Sequence, residues 1–270
     1  FDIVPIPADM QAECDKARAF MIEKIAEHDD ALMTKFIEGG EPTKEELKKA
    51  LRLATIHLKI TPVICGSSLK NKGVQHLLDA VVDYLPSPMD VPPIEAINPN
   101  DDTPVQRHAD EKEPLAAFAF KIASDKFVGS LTYIRIYSGV LSSSSYIYNP
   151  RNGKTERVGR LLLMHANKRE EIDEAGAGNI VAAVGLKDVK TGDSLCDENH
   201  PVVLEALFVP EPVIWMSIEP KTKADRDKMS DALGRLVSED PTFRVKTDAE
   251  TVQTLVGGMG ALHLDIKIDI

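Results

Sequence analysis

The sequence predicts a chain of several domains in three successive styles. An α/β part comes first, then a small closed β-barrel, then an incomplete ferredoxin-like unit of the split-βαβ kind. Three observations carry this. The apolar pattern changes from helical spacing to short alternating runs near residue 115, and to a strand–helix–strand–strand order after residue 208. A proline-rich stretch, 87–114, separates the first two styles. The 270 residues, 43% hydrophobic and 28% charged, are enough for two or three packed domains.

The elements follow in order. Residues 1–8, with Pro5 and Pro7, read as a short edge strand entering a loop. Met10 to about His28 reads as an amphipathic helix. Asp29 and Asp30 cap a second, ending at Gly39-Gly40. Thr43 with Glu46 forms a capping box, and the next helix carries Leu47, Ala50, Leu51, Ala54 and Leu58 inward. Ile60 to Cys65 is a β-branched run that predicts a buried strand, broken by Gly66. From Val74 to Leu85 the spacing predicts a helix with Leu77, Leu78, Val81 and Val82 on one face, stopped by Pro86. In such sheets ligands bind at loops leaving the carboxyl ends of strands, which marks Gly66-Ser67-Ser68.

Residues 1–86 therefore form the first domain and 87–114 a semi-rigid linker, with seven acids against two bases. Residues 115–205 hold about six short strands: 115–123, 129–137, 146–148, 157–164, 176–184 and 194–196. Asn152-Gly153 makes a hairpin turn between them. The barrel reading rests on these. Residues 206–270 read as strand 213–218, helix 222–239, strands 243–247 and 251–256. The tail Leu262 to Ile270 alternates strictly, and pattern alone makes it a strand, whereas the split-βαβ order asks for a helix there.

Net charge is −11, which taken alone argues against a nucleic-acid partner. The balance is uneven. Residues 1–50 hold twelve acids and seven bases, but Arg151, Lys154, Arg157, Arg160, Lys168 and Arg169 stand against one acid, Glu156, across 151–169. Such a locally basic face can meet phosphates. Cys14, Cys65 and Cys196 are far apart, with neither zinc spacing nor a disulfide framework, so reduced thiols are expected. No apolar run approaches the roughly 20 residues of a membrane span and no leader opens the chain, so a cytoplasmic monomer without membrane contact is expected. There is no G-x-x-x-x-G-K-[ST], H-E-x-x-H or G-x-S-x-G. Asn71-Lys72-Gly73-Val74 imitates the guanine-reading N-K-x-D, but Val74 cannot accept from the base. No catalytic residue and no metal ligand set emerges.

Longer stretches carry a resemblance. Ile64-Cys65-Gly66-Ser67-Ser68-Leu69-Lys70-Asn71-Lys72-Gly73-Val74-Gln75 resembles the end of the GTPase domain of bacterial elongation factor G. Gly129 to Gly139 resembles the second-domain barrel of translational GTPases. Arg157 to Ile172, Glu219-Pro220-Lys221-Thr222-Lys223, Glu239 to Phe243 and Gly258-Met259-Gly260 with Leu262-His263-Leu264 resemble further stretches of the same factor, in its order.

The resemblance implies the carboxyl-terminal part of a P-loop GTPase α/β domain with a helical insert, a translation-factor barrel and a truncated ferredoxin-like third domain. It implies a ribosome-dependent GTPase that moves transfer RNA and messenger RNA after peptide bond formation. Gly66, Ser67, Ser68 and Leu69 match its last guanine-binding motif. Arg151, Lys154, Arg157, Arg160, Lys168 and Arg169 are the candidates to contact ribosomal RNA. The resemblance also implies a helix from Gly260, against the alternation. The parent protein is expected to use GTP with magnesium. The segments carrying the P-loop, switches and N-K-x-D are expected to precede Phe1, so this slice is expected to be inactive and to bind no nucleotide. A free-standing ribosome-binding module, a tetracycline-protection protein and release factor three are the alternatives.

Overall fold

The computed structural model describes residues 4–125, 129–166, 168–204, 208–220 and 222–269. The chain divides into two compact units, 1–91 and 92–270.

The first unit is helical among its described residues. Its helices are α1 (Gln11–Ala26), α2 (Asp30–Ile37), α3 (Lys44–Ile56) and α4 (Val74–Tyr84). Asp29 caps α2 by accepting from the Leu32 N–H at 3.0 Å. The predicted capping box opens α3: Thr43 Oγ1 accepts from the Glu46 N–H at 3.2 Å, and the Glu46 carboxylate accepts from the Thr43 N–H at 2.7 Å. The Lys35 ammonium, then that Thr43 N–H, hold the Glu46 carboxyl down at about 2. Ile22, Ile25, Leu32, Leu47 and Ala50 make the small core. Leu58, read as an inward residue, is 91% exposed in a left-handed turn past the helix end.

Two expectations change here. Ile60 to Cys65 runs without any ladder partner and is not a strand, and Val63 is 86% exposed. A strand is defined by its neighbours, and no other strand of this unit lies among the described residues. The stripe of α4 forms as a helix face, but Leu77, Leu78, Val81 and Val82 all remain exposed. The amino-terminal edge strand is also absent over residues 4–8; residues 1–3 lie outside the described residues.

The second unit contains a barrel and an α+β part. The barrel strands are β1 (Ile94–Ile97), β2 (Pro104–Arg107), β3 (Ala116–Asp125), β4 (Gly129–Ser138), β5 (Val140–Ser142), β6 (Tyr146–Asn149), β7 (Lys154–Arg157), β8 (Leu161–His165), β9 (Lys168–Ile172), β10 (Glu174–Gly176), β11 (Ile180–Val184), β12 (Asp193–Cys196) and β13 (Val203–Leu204). Eight of them run β7-β6-β12-β3-β4-β11-β8-β9, all pairs antiparallel. Ala117, Ile134, Ile136, Leu161, Val181 and Leu195 fill the core from alternate positions.

The predicted run 157–164 is two strands. Gly159 turns the corner where a Cβ would lie 2.5 Å from the Val184 carbonyl, so only glycine permits this approach to β11. The stretch read as a linker, 87–114, contains β1 and β2. They pair with each other and with β13, and Ala96 packs on Phe118, Val202 and Leu204. Pro104 sits at the first position of the edge strand, where its missing N–H leaves no ladder gap.

The last part holds β14 (Ile214–Ile218), a single 3₁₀ turn, α5 (Arg226–Glu239), β15 (Arg244–Thr247), β16 (Thr254–Gly258) and α6 (Ala261–Asp269). The sheet order β14-β16-β15 is that of a split-βαβ unit. The tail is the helix that the resemblance implies, not the strand that alternation predicts. Leu264 is buried against Phe243 and Val256 while Leu262, Ile266 and Ile268 stay exposed. The multidomain fold class expected is the one observed, with a β-barrel and an α+β part; of the α/β part expected first, the described residues hold the helices.

Candidate functional site

The loop at Gly66 closes on itself. The Ser67 N–H donates to the Lys72 carbonyl and the Lys72 N–H to the Ser67 carbonyl, both at 2.9 Å. The Asn71 N–H donates to the Ser68 carbonyl at 3.1 Å, and the Lys70 N–H to Ser67 Oγ at 3.3 Å. A Cβ on Gly66 would lie 2.9 Å from the Lys72 carbonyl, so the closure needs a glycine. Among the described residues, the N–H groups of Ser68 and Leu69 take no part in these bonds. They stand at the exposed tip, and Leu69 is 95% exposed. Two unengaged backbone donors beside a small hydroxyl side chain suit a flat heterocycle carrying a carbonyl acceptor.

The six basic residues belong to the other unit. Arg151 and Lys154 sit on the β6–β7 hairpin, Lys168 and Arg169 on β9, and β7 and β9 are the first and last strands of the eight-stranded order. Most are engaged within the protein. Arg151 grips the buried Asp193 carboxylate through Nε and, at 2.9 Å, through Nη2, and donates to the Asp188 carbonyl at 2.9 Å. The bond to Asp193 raises the guanidinium pKa further. Lys154 meets Asp188 at 2.7 Å, which raises the ammonium and lowers the carboxyl. Arg169 is paired in two places with Asp125. Arg160 has only a long contact, 3.8 Å, with Glu171. Among the described residues, Arg157 and Lys168 enter no ion pair. The same hairpin is fastened by Glu156, which accepts from the Lys187 N–H at 2.6 Å and the Asp188 N–H at 3.2 Å.

Sequence reasoning passed over a junction in the α+β part. Asp240 accepts from the Thr242 N–H at 2.9 Å and the Thr242 hydroxyl at 2.6 Å, meets His263 Nε2 at 3.0 Å and pairs with Lys267 at 3.1 Å. His263 Nδ1 accepts from the Met259 N–H at 3.1 Å, which leaves the ring proton on Nε2 facing Asp240. Burial alone would push the Asp240 carboxyl up, but Thr242, Lys267 and His263 together hold it well below the ordinary range. Glu239 beside it accepts from the Ser124 N–H of β3 at 2.9 Å, joining barrel and α+β part. The histidine and the acid are 23 residues apart, so no local pattern announces the pair.

Residues 129–196 match the family described as elongation factor Tu domain 2, and residues 209–270 match elongation factor G, domain III. Two translation-factor domains are present. A crystal structure of a Thermus thermophilus protein superposes with a TM-score of 0.79 at 27% identity, covering 98% of this chain and 38% of that one. The chain thus spans well under half of that protein, and the two domains typical of translational GTPases occupy the second unit in the order expected. Burial pushes the Cys196 thiol of the barrel up to about 11, an unreactive core group. Cys14, Cys65 and Cys196 are all free thiols. No helix among the described residues is long and apolar enough to cross a membrane.

Proposed function

We propose that this chain is the central part of a translational GTPase of the elongation factor G kind, which promotes movement of transfer RNA and messenger RNA through the ribosome. The observation that carries this reading is the ordered pair of domain matches, 129–196 then 209–270, inside a likeness that covers 98% of the chain. In this reading Gly66, Ser67, Ser68 and Leu69 form one wall of a guanine pocket. The Ser68 and Leu69 N–H groups are free to donate to the base carbonyl, and the Ser67–Lys72 closure holds them in place. Magnesium and the phosphates of GTP are held by residues of the segments that carry the P-loop and switches in that family. The Leu77, Leu78, Val81 and Val82 face of α4, exposed here, is the surface that a parallel sheet covers in such a domain. The protein works in the cytoplasm as a monomer, its barrel docked on small-subunit ribosomal RNA by phosphate contacts that position rather than specify.

Arg157 and Lys168 are the cations available to phosphate, Arg160 is weakly held, and Arg151, Lys154 and Arg169 serve the barrel itself. Two measurements test the reading. Calorimetry of this chain with GTP is expected to give no heat of binding, and micromolar affinity would overturn the view that the loop is one wall of an incomplete pocket. Co-sedimentation with small ribosomal subunits is expected to weaken with salt and with Arg157→Ala combined with Lys168→Ala. Binding that ignores both would overturn the docking role of the barrel.

A further inference from the structure

The outer face of the β14-β16-β15 sheet carries an aromatic platform. Register fixes which side chains share it. Met216, Val256 and Val245 lie side by side in one row, and Val256 is fully buried in the core under α5 and α6. The neighbouring rows therefore point the other way. One is Trp215–Gly257–Arg244 and the next Ser217–Leu255–Lys246. No carboxylate occupies either row.

Trp215 lies flat across the sheet. A Cβ on Gly257 would sit 2.8 Å from its six-membered ring, so the glycine is the floor on which the indole rests. The Lys246 ammonium stands 4.0 Å from the ring centroid on the open side. Trp215 is still 37% exposed. Arg244, level with Gly257 on the edge strand, pairs at 3.1 Å with the exposed Glu211, and Asp248 lies beyond Lys246. The Arg244–Glu211 pair is at the surface and therefore weak.

The geometry points to a second nucleic-acid contact: this sheet face receives an unpaired RNA base on Trp215, with Lys246 and Arg244 on the flanking phosphates. A base needs a π-face that is supported from beneath and open above, which the Trp215–Gly257 arrangement provides. The lysine is the exchangeable part. A cation over an exposed ring holds it by only about two- to fivefold, whereas a stacked base is held by roughly five- to a hundredfold. The base displaces the ammonium, and the ammonium moves to phosphate. Duplex RNA offers no free π-face and is not accepted. This goes beyond the docking role of the barrel and depends neither on it nor on the loop at Gly66.

The test uses a built-in probe, since Trp215 is the one tryptophan of the chain. Titration of the whole chain with an adenine-rich single-stranded RNA is expected to quench its fluorescence saturably, with an affinity that falls as salt rises. A duplex of the same composition is expected to leave the signal unchanged. Trp215→Ala should weaken binding of labelled single-stranded RNA about tenfold. Lys246→Ala, which leaves the platform intact, should lower both affinity and salt dependence. Circular dichroism checks that both variants are folded. Quenching should persist in the Arg157→Ala and Lys168→Ala double variant. Labelled RNA that binds without quenching Trp215 would overturn this contact while leaving the barrel reading in place. Quenching that is lost in the barrel double variant, or matched by polyglutamate, would overturn it equally.

Discussion

Asp193 shows how much one carboxylate can hold. It is buried, and it collects Asn149 Nδ2 and the Lys190 N–H at 2.8 Å together with the Arg151 guanidinium. Asp193→Ala would strand these donors, although Arg151 is half-exposed and can turn to water. A loss of about 2–3 kcal/mol is expected, read as a shift of the urea midpoint without change of slope. Val252 makes the opposite case. It is exposed, and its φ of +59° places a β-branched residue in the left-handed region. Val252→Asn should stabilise the chain by about 0.5–1 kcal/mol, seen as a raised melting temperature. Neither residue stands out in the sequence. An acid in Thr-Gly-Asp reads as a turn, and the backbone angle of Val252 is imposed by Asp248, which accepts from the Val252-side loop through the Glu250 and Thr251 N–H groups.

At the scale of elements, α6 rests on an electrostatic junction as well as on Leu264. The Asp240 carboxyl is lowered in the folded state, so its contribution is fully present above the unfolded value, about 3.9, and is lost as pH falls through the folded one. Asp240→Asn should therefore be clearly less stable than the parent at neutral pH. The gap should close below about pH 4, where the unfolded carboxyl takes up its proton. Urea unfolding of the two proteins across that range checks this, and a gap independent of pH would point to packing alone. The helix itself shows where local pattern fails. Leu262, Leu264, Ile266 and Ile268 alternate as a strand does, yet only Leu264 finds the core. The Met259 N–H to His263 bond starts the helix, and this contact is invisible to a period-two reading. The helix starts at Asp29 and Thr43 were legible for the converse reason: a cap is a bond between residues three apart.

For the whole molecule, the barrel and the first unit differ in what they cover. The barrel closes its own core, while the first unit leaves the apolar side of α4 open. Leu78→Asp with Val82→Asp should change the stability of this chain by less than about 0.5 kcal/mol, because both side chains are already exposed. In the whole factor proposed above, the same pair should be strongly destabilising. Thermal unfolding of both proteins makes the comparison, and a large loss in this chain would mean that the face is covered within it. The sequence by itself determined where the pattern changes along the chain, the helices and their caps, the barrel hairpins and the stretches that carry the resemblance, because each rests on residues close along the chain. Only the tertiary structure decided that 94–107 are strands rather than linker, that Ile60 to Cys65 has no ladder, and that most of the basic run is spent on the barrel. It alone laid Trp215 on Gly257. These outcomes depend on partners that lie tens of residues away or are not met at all, and hydrophobic period records which face a residue favours but not what it meets there.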